Sequence, residues 1–224
     1  IVRDAVNVML MGPFSTNEWL HIGAGGIALC VGLMPLLSAK GGRMHRRSGR
    51  AVVALGAVVL ATALYGVFAG TAPTALVAVT LTAGYQYVGS LRALALRDRA
   101  PGWPDALLAC TALALAALLL LRGGPGTASW PPALAYGTLG FVIAMALYDL
   151  SRHLWPQLWL RRARILDHGL KMTGFYFAMA SAGAGNLLRG WQPWSQLLPS
   201  ALGTLAMCVL VFIHLRGRAA VARA

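Results

Sequence analysis

The sequence predicts an all-α integral membrane bundle of seven transmembrane helices, with the N-terminus outside and the C-terminus cytoplasmic. Three observations predict it. The chain is 58% hydrophobic and only 11% charged over 224 residues, whereas a soluble domain carries about a quarter charged residues. Its mean hydropathy is +0.67, and it has too little polar side chain to face water all round. The apolar residues fall into seven runs of about twenty, the length a helix needs to cross the hydrocarbon core. The basic residues, finally, gather on alternate loops. Helix is required over strand, because a lone strand in lipid leaves its backbone groups unpaired.

The elements follow in order. IVRDAVNVMLMGPF has an acid inside it and no small-residue cleavage site, so residues 1–18 read as an interfacial segment rather than a signal peptide. The first span runs from Trp19 to Ala39 and repeats small residues at Ala24, Ala28 and Gly32. KGGRMHRRSGR, residues 40–50, then supplies five basic side chains and no acid. Spans follow over Gly49–Gly70, Pro73–Leu96, Pro104–Leu121 and Pro132–Ser151. Three of these begin on proline, whose missing N–H is harmless in a first helical turn. Residues 152–167 place Leu154, Trp155, Leu158, Trp159, Ile165 and Leu166 at helical spacing among arginines. They read as an amphipathic segment on the inner leaflet in contact with anionic lipid. The last spans cover His168–Leu188, with small residues Ser181 and Gly185, and Leu197–Leu215. The bundle is thus assigned to 19–217 and a cytoplasmic tail to 218–224.

Seven spans put sixteen of the 19 Lys and Arg residues on one face, leaving Arg3, Arg122 and Arg189 on the other. Basic residues resist translocation, so the rich face is cytoplasmic. An even number of spans would destroy this asymmetry. Trp19, Trp130, Trp191 and Trp194 fall at the outer boundary, and Trp103, Trp155 and Trp159 at the inner one, the headgroup depth that tryptophan prefers. The expected address is the bacterial cytoplasmic (inner) membrane. The net charge of +13 does not indicate nucleic acid, because the basic residues sit between apolar runs and form no stripe with aromatics. Cys30, Cys110 and Cys208 lie inside apolar runs and read as small buried hydrophobes.

Chemistry is sparse. His45, His153, His168 and His214 gather toward the inner face, while His21 lies at the outer one. The inner set could ligate a metal or one haem b, with His168 and His214 as the best pair; two bis-histidine haems need a second outer ligand. Asp167 and Lys171 are spaced i, i+4 and Asp149 and Arg152 i, i+3, so each couple can pair along its own helix. In TAGYQYVGS, Tyr85, Gln86 and Tyr87 cannot all face lipid, and Gln86 and Asn186 need partners within the bundle. With His21 they form a candidate pocket for a quinone, a lipid or another small apolar ligand with a polar head. No nucleotide loop, zinc-protease helix or serine elbow is present, and the last span lacks the lysine of a retinal protein.

His21 to Leu29 reads H-I-x2-G-x2-A-L, Lys40 to Arg50 reads K-G-G-x2-H-R-x2-G-R, and His168 begins H-x3-M-x3-Y with Asn186 further on. These motifs resemble a family of bacterial multi-spanning membrane proteins classed only as a domain of unknown function. The resemblance covers the first two and last two spans, and implies a helical inner-membrane protein with His21, His45 and His168 at motif positions. It implies no activity. The residues themselves indicate a membrane subunit or ligand-binding module, of a redox or bioenergetic complex or a homo-oligomer. A haem or metal redox protein and a small-molecule transporter are the alternatives. No complete catalytic set is present, and Asp149 and Lys171 lie toward the inner end rather than mid-membrane, which argues against ion-coupled transport.

Overall fold

The computed structural model describes residues 15–123 and 130–221, with side chains to residue 216. The N-terminal segment before Ser15 and the side chains of the expected tail lie outside the described residues. Eight α-helices account for nearly all of the rest: α1 (Thr16–Leu37), α2 (Arg43–Phe68), α3 (Thr74–Ala95), α4 (Trp103–Arg122), α5 (Pro132–Ser151), α6 (Pro156–Arg162), α7 (Arg164–Leu187) and α8 (Trp194–Val221). Short 3-10 turns, Arg152–Leu154 and Arg189–Trp191, precede α6 and α8.

Five segments are long and apolar enough to cross a bilayer: Thr16–Leu37, Arg43–Phe68, Trp103–Arg122, Pro132–Leu154 and Trp194–Arg216. The sequence reading expects seven. The two others, α3 and α7, have 22 and 24 residues and are long enough, but their polar side chains lower their hydropathy. Their burial supplies the reason. Tyr85, Gln86, Tyr87, Gly89 and Ser90 of α3 and Asp167, Lys171, Thr173 and Gly174 of α7 are all buried. A helix shielded by its neighbours need not be apolar all round.

The chain divides into two compact units, residues 1–71 and 72–224. The first is a hairpin of α1 and α2. Ser15 and Glu18 form a reciprocal cap at the start of α1, Glu18 Oε2 accepting from Ser15 N at 2.8 Å and Ser15 Oγ from Glu18 N at 3.3 Å. Such a box satisfies two otherwise orphaned donors. The residues that α1 buries are the predicted stripe, Ala24, Ala28 and Gly32, whose small size lets the two backbones approach. His21 Nδ1 lies 2.9 Å from Thr62 Oγ1 and 3.2 Å from the Val59 carbonyl, which ties the far end of the hairpin. At the near end Lys40 Nζ donates to the Pro35 and Leu36 carbonyls at 2.9 and 2.6 Å, and His45 Nδ1 donates to Pro35 at 3.0 Å. Cations suit the carbonyl end of a helix. The basic run is not all loop: from Arg43 onward it forms the first turns of α2. A helix dipole disfavours positive charge there, so the helix itself does not stabilise these arginines.

In the second unit α3 packs on α4, α5 and α7, and α7 packs on α3 and α8. Alanines 109, 112 and 116 of α4 meet Leu139 and Val142 of α5 in an apolar cluster that includes Trp130. Asp105 caps α4 by accepting from Gly102 N at 3.0 Å, and it receives Arg92 at 3.1 and 2.9 Å in a bidentate pair that joins α3 to α4. Trp19, Trp103, Trp191 and Trp194 are exposed at helix ends, as headgroup anchors should be. Trp130 and Trp159 are not: both are buried. Sequence position near a helix end does not reveal which side of the helix a ring occupies. In residues 152–167, Leu154, Leu158 and Ile165 stay exposed, while Trp159 turns inward against Ala93 and Leu96. The expected leaflet helix therefore has one apolar edge turned outward and one packed into the bundle.

Candidate functional site

Two features of the second unit adjoin: a buried tetrad of charges and an elongated cavity. The tetrad begins with the two local pairs expected from spacing. Lys171 Nζ lies 2.7 Å from Asp167 Oδ1, and Arg152 lies 3.3 Å from Asp149 Oδ1. The tertiary fold then crosses them. Lys171 Nζ is also 2.7 Å from Asp149 Oδ1, and Arg152 Nη1 is 2.7 Å from Asp167 Oδ2. All four side chains are at most 4% exposed. Two acids and two bases cancel, and each cation touches both acids. Tyr85 Oη donates to Asp149 Oδ2 at 2.5 Å. Arg152 stacks 4.8 Å from the Trp159 ring, and Lys171 lies 5.7 Å from the Tyr148 ring. Breaking such a buried pair from one side would leave an uncompensated charge; here the pairing is complete and boxed by aromatic faces.

Two glycines make room for this chemistry where α3 crosses α7. A Cβ on Gly89 would stand 3.2 Å from Lys171 Cδ and Cε, and one on Gly174 would collide with Gln86 Oε1. The arrangement is reciprocal: the long polar side chain of each helix lies over the glycine of the other. Gln86 and Gly89 are three apart, as are Lys171 and Gly174. Sequence reasoning missed both glycines; their i, i+3 relation to the polar residues was the available signal.

The cavity lies directly along from this crossing. Its volume is about 410 Å³, within the usual range for small-molecule sites. Val79, Thr82 and Gln86 of α3, Gly137 and Phe141 of α5, Gly174, Phe177 and Ser181 of α7, and Ser200, Thr204 and Met207 of α8 are among its walls. It reaches from Gln196 to Met207 along α8, about 16 Å at helical rise. Gln86 and Gly174 stand at its deep end, one residue from Tyr85 and one turn from Lys171.

Its polar lining is mostly spent on the protein's own backbone. Thr82 donates to Ala78 O at 2.9 Å, Thr204 to Ser200 O at 3.0 Å, and Ser181 and Ser200 to Gln196 O at 2.7 and 3.0 Å. Gln86 differs. Its Nε2 donates to Thr82 O at 3.2 Å, which fixes the amide orientation because a carbonyl only accepts. Its Oε1 is buried and has no hydrogen-bond partner. An unsatisfied buried acceptor costs about 1–3 kcal/mol.

The sequence-derived site residues are distributed as follows. Gln86 lines the cavity; Tyr85 turns to Asp149, and Tyr87 packs on Phe175 with ring centroids 5.1 Å apart. Asn186 is exposed and donates to its own helix at Ala182 O, 3.0 Å away, so it needs no second helix. His21 belongs to the hairpin unit. His168 Nδ1 is 2.7 Å from Ser90 Oγ, and His214 Nε2 donates to Arg162 O at 2.9 Å. These two engage different partners rather than a shared centre, and His45 caps α1. His153 Nε2 is buried without a hydrogen-bond partner. Among the described residues no three His, Cys, Asp or Glu side chains converge as a metal would require. No family model matches the chain, and no curated protein or solved structure matches it; the site stands on its own geometry.

Proposed function

We propose that this chain is a multi-pass protein of a bacterial inner membrane, and that its second unit is a module that binds a small, mainly apolar molecule. The observation that carries this reading is the cavity walled by α3, α5, α7 and α8, with the buried Gln86 side chain in its wall. On this reading α3 and α7 also cross the bilayer, as a shielded central pair, to give seven crossings. The arginine asymmetry sets the N-terminus outside, and exposed Arg161 and Arg162 meet anionic lipid at the inner leaflet. The resemblance of the KGG-x2-HR element to the bacterial membrane family agrees with this placement.

The test is direct. Protein purified in mild detergent is extracted with organic solvent and the extract analysed by mass spectrometry. A molecule retained at about one per chain in the wild type is expected to be lost from Ala201→Trp, which fills the cavity from an exposed position on α8. Equal recovery of every extracted species from both proteins contradicts the reading. A second reading, a carrier, is favoured by one observation: Lys171 of the charge cluster lies one helical turn from Gly174 in the cavity wall, and a conformational change could part the cluster. Uptake into proteoliposomes of the molecule so identified separates carriage from binding.

A further inference from the structure

The cavity's place along α8 narrows its occupant. Packing runs from α5 to α3, from α3 to α7 and from α7 to α8, so α5 and α8 stand as the two rims of a trough floored by α3 and α7. Near the start of α8, Leu197 packs against the apolar cluster that holds Trp130 and Leu134. Beyond it the rim positions that line the cavity are exposed: Gly137 on α5, and Ser200, Ala201 and Thr204 on α8. A Cβ on Gly137 would meet no atom within 4 Å. Both rims belong to segments long and apolar enough to cross a bilayer, so in a membrane the trough opens sideways onto lipid rather than onto water.

Its length matches one leaflet. The span that holds α8 runs from Trp194 to Arg216, and exposed Trp194 marks its boundary. The cavity begins at Gln196 and ends at Met207, just past the middle of that span. At helical rise this is about 16 Å, half of a hydrocarbon core about 30 Å thick, and so the depth that the chains of one leaflet fill. A helix from another protein is a poor match. A 16 Å length of a cylinder about 10 Å across takes up about 1,200 Å³, about three times the 410 Å³ of the cavity.

Polarity is graded along the same line. Ser181, Gln196 and Ser200 gather at the boundary end, where Ser181 Oγ donates to Gln196 O at 2.7 Å and Ser200 Oγ lies 3.3 Å from Ser181 Oγ. Phe141 and Met207 line the other end, and Gln86 there is folded over Gly174. Four of the five hydroxyls in the lining donate to backbone carbonyls, so they need no partner from an occupant.

We propose that the trough seats one acyl chain of a bilayer phospholipid, which enters between α5 and α8 and lies with its ester end beside Gln196 and its methyl end beside Phe141 and Met207. This rests on the readings that the protein is membrane-embedded and that the cavity is a ligand site, and it adds to them the ligand class, its orientation and its route.

Photo-crosslinking in proteoliposomes of phosphatidylethanolamine and phosphatidylglycerol tests it. Two phospholipid probes carry a diazirine in one acyl chain, either next to the ester or at the methyl end; a third probe is the compact phenyl(trifluoromethyl)diazirine. Peptide mapping locates the adducts. The methyl-end probe is expected to label Phe141 and Met207 above outward-facing Leu205, and the ester-end probe to label Leu197 and Ser200 above outward-facing Leu198. Gly137→Leu, and independently Ala201→Trp, is expected to abolish this excess while leaving Leu198 and Leu205 labelled as before. A reversed pattern, or one that does not depend on where the diazirine sits, overturns the proposal. Cavity labelling by the compact probe alone overturns the acyl-chain inference and leaves the cavity reading standing. Labelling of Phe141 and Met207 no stronger than that of Leu205 by all three probes overturns both. The wild-type comparison decides the matter even if neither variant folds.

Discussion

Replacing Lys171 by Met removes one cation from a cluster that is otherwise neutral. Lys171 Nζ sits 2.7 Å from both Asp149 and Asp167, and none of its side chain is exposed. Methionine fills similar space, so the change is chiefly one of charge. Asp149 and Asp167 are left with Arg152 alone, at 3.3 and 2.7 Å, and the buried site carries a net negative charge. Breaking a buried pair from one side costs about 3–5 kcal/mol. For a chain of this length that corresponds to a fall in Tm of about 6–20 °C. Thermal unfolding in detergent, followed by tryptophan fluorescence, measures it. The compensating variant is Lys171→Met with Asp149→Asn. It restores neutrality, keeps the 2.7 Å Arg152–Asp167 pair, and leaves an amide oxygen to accept from Tyr85. It is expected to recover at least half of the lost stability, while exposed Arg189→Ala stays within about 0.5 kcal/mol of the wild type. A double variant no more stable than the single one would refute the view that charge balance, rather than packing of the lysine stem, holds this cluster.

Other substitutions probe the same architecture. Gly174→Ala drives a methyl into the Gln86 amide and is expected to lower stability by about 1–3 kcal/mol in chemical denaturation; pairing it with Gln86→Ala is expected to relieve part of that loss. Gly137→Ala, facing open space within α5, is expected to raise stability by about 0.5–1 kcal/mol, a sign opposite to that at Gly174. Arg152→Lys keeps the charge but loses the fork that reaches both acids and the stacking on Trp159; it is expected to destabilise nearly as much as Arg152→Met, read by the same melts.

Local features were legible in the sequence because local geometry decides them. The Asp167–Lys171 and Asp149–Arg152 spacings gave both intrahelical pairs, and the Ala24, Ala28 and Gly32 stripe gave the buried face of α1. The fusion of those pairs was not legible, since it depends on α5 and α7 meeting. Polar residues in α3 and α7 were visible, yet only their burial shows why helices of lower hydropathy belong with apolar neighbours. The cavity left no sequence mark beyond Gln86, for it arises where α3, α5, α7 and α8 come together. The burial of Trp130 and Trp159 was not legible, because distance from a helix end bears on depth and not on facing.

The most direct measurement is the sidedness of α7, whose proposed passage through the bilayer would put tetrad and cavity within the membrane. In a background with Cys30, Cys110 and Cys208 replaced by serine, Arg161→Cys and Gly190→Cys bracket the helix at exposed positions. A membrane-impermeant maleimide added to intact spheroplasts is expected to label residue 190 at once and residue 161 only after permeabilisation. Labelling of both from the same side would mean that α7 does not cross, and would contradict the account.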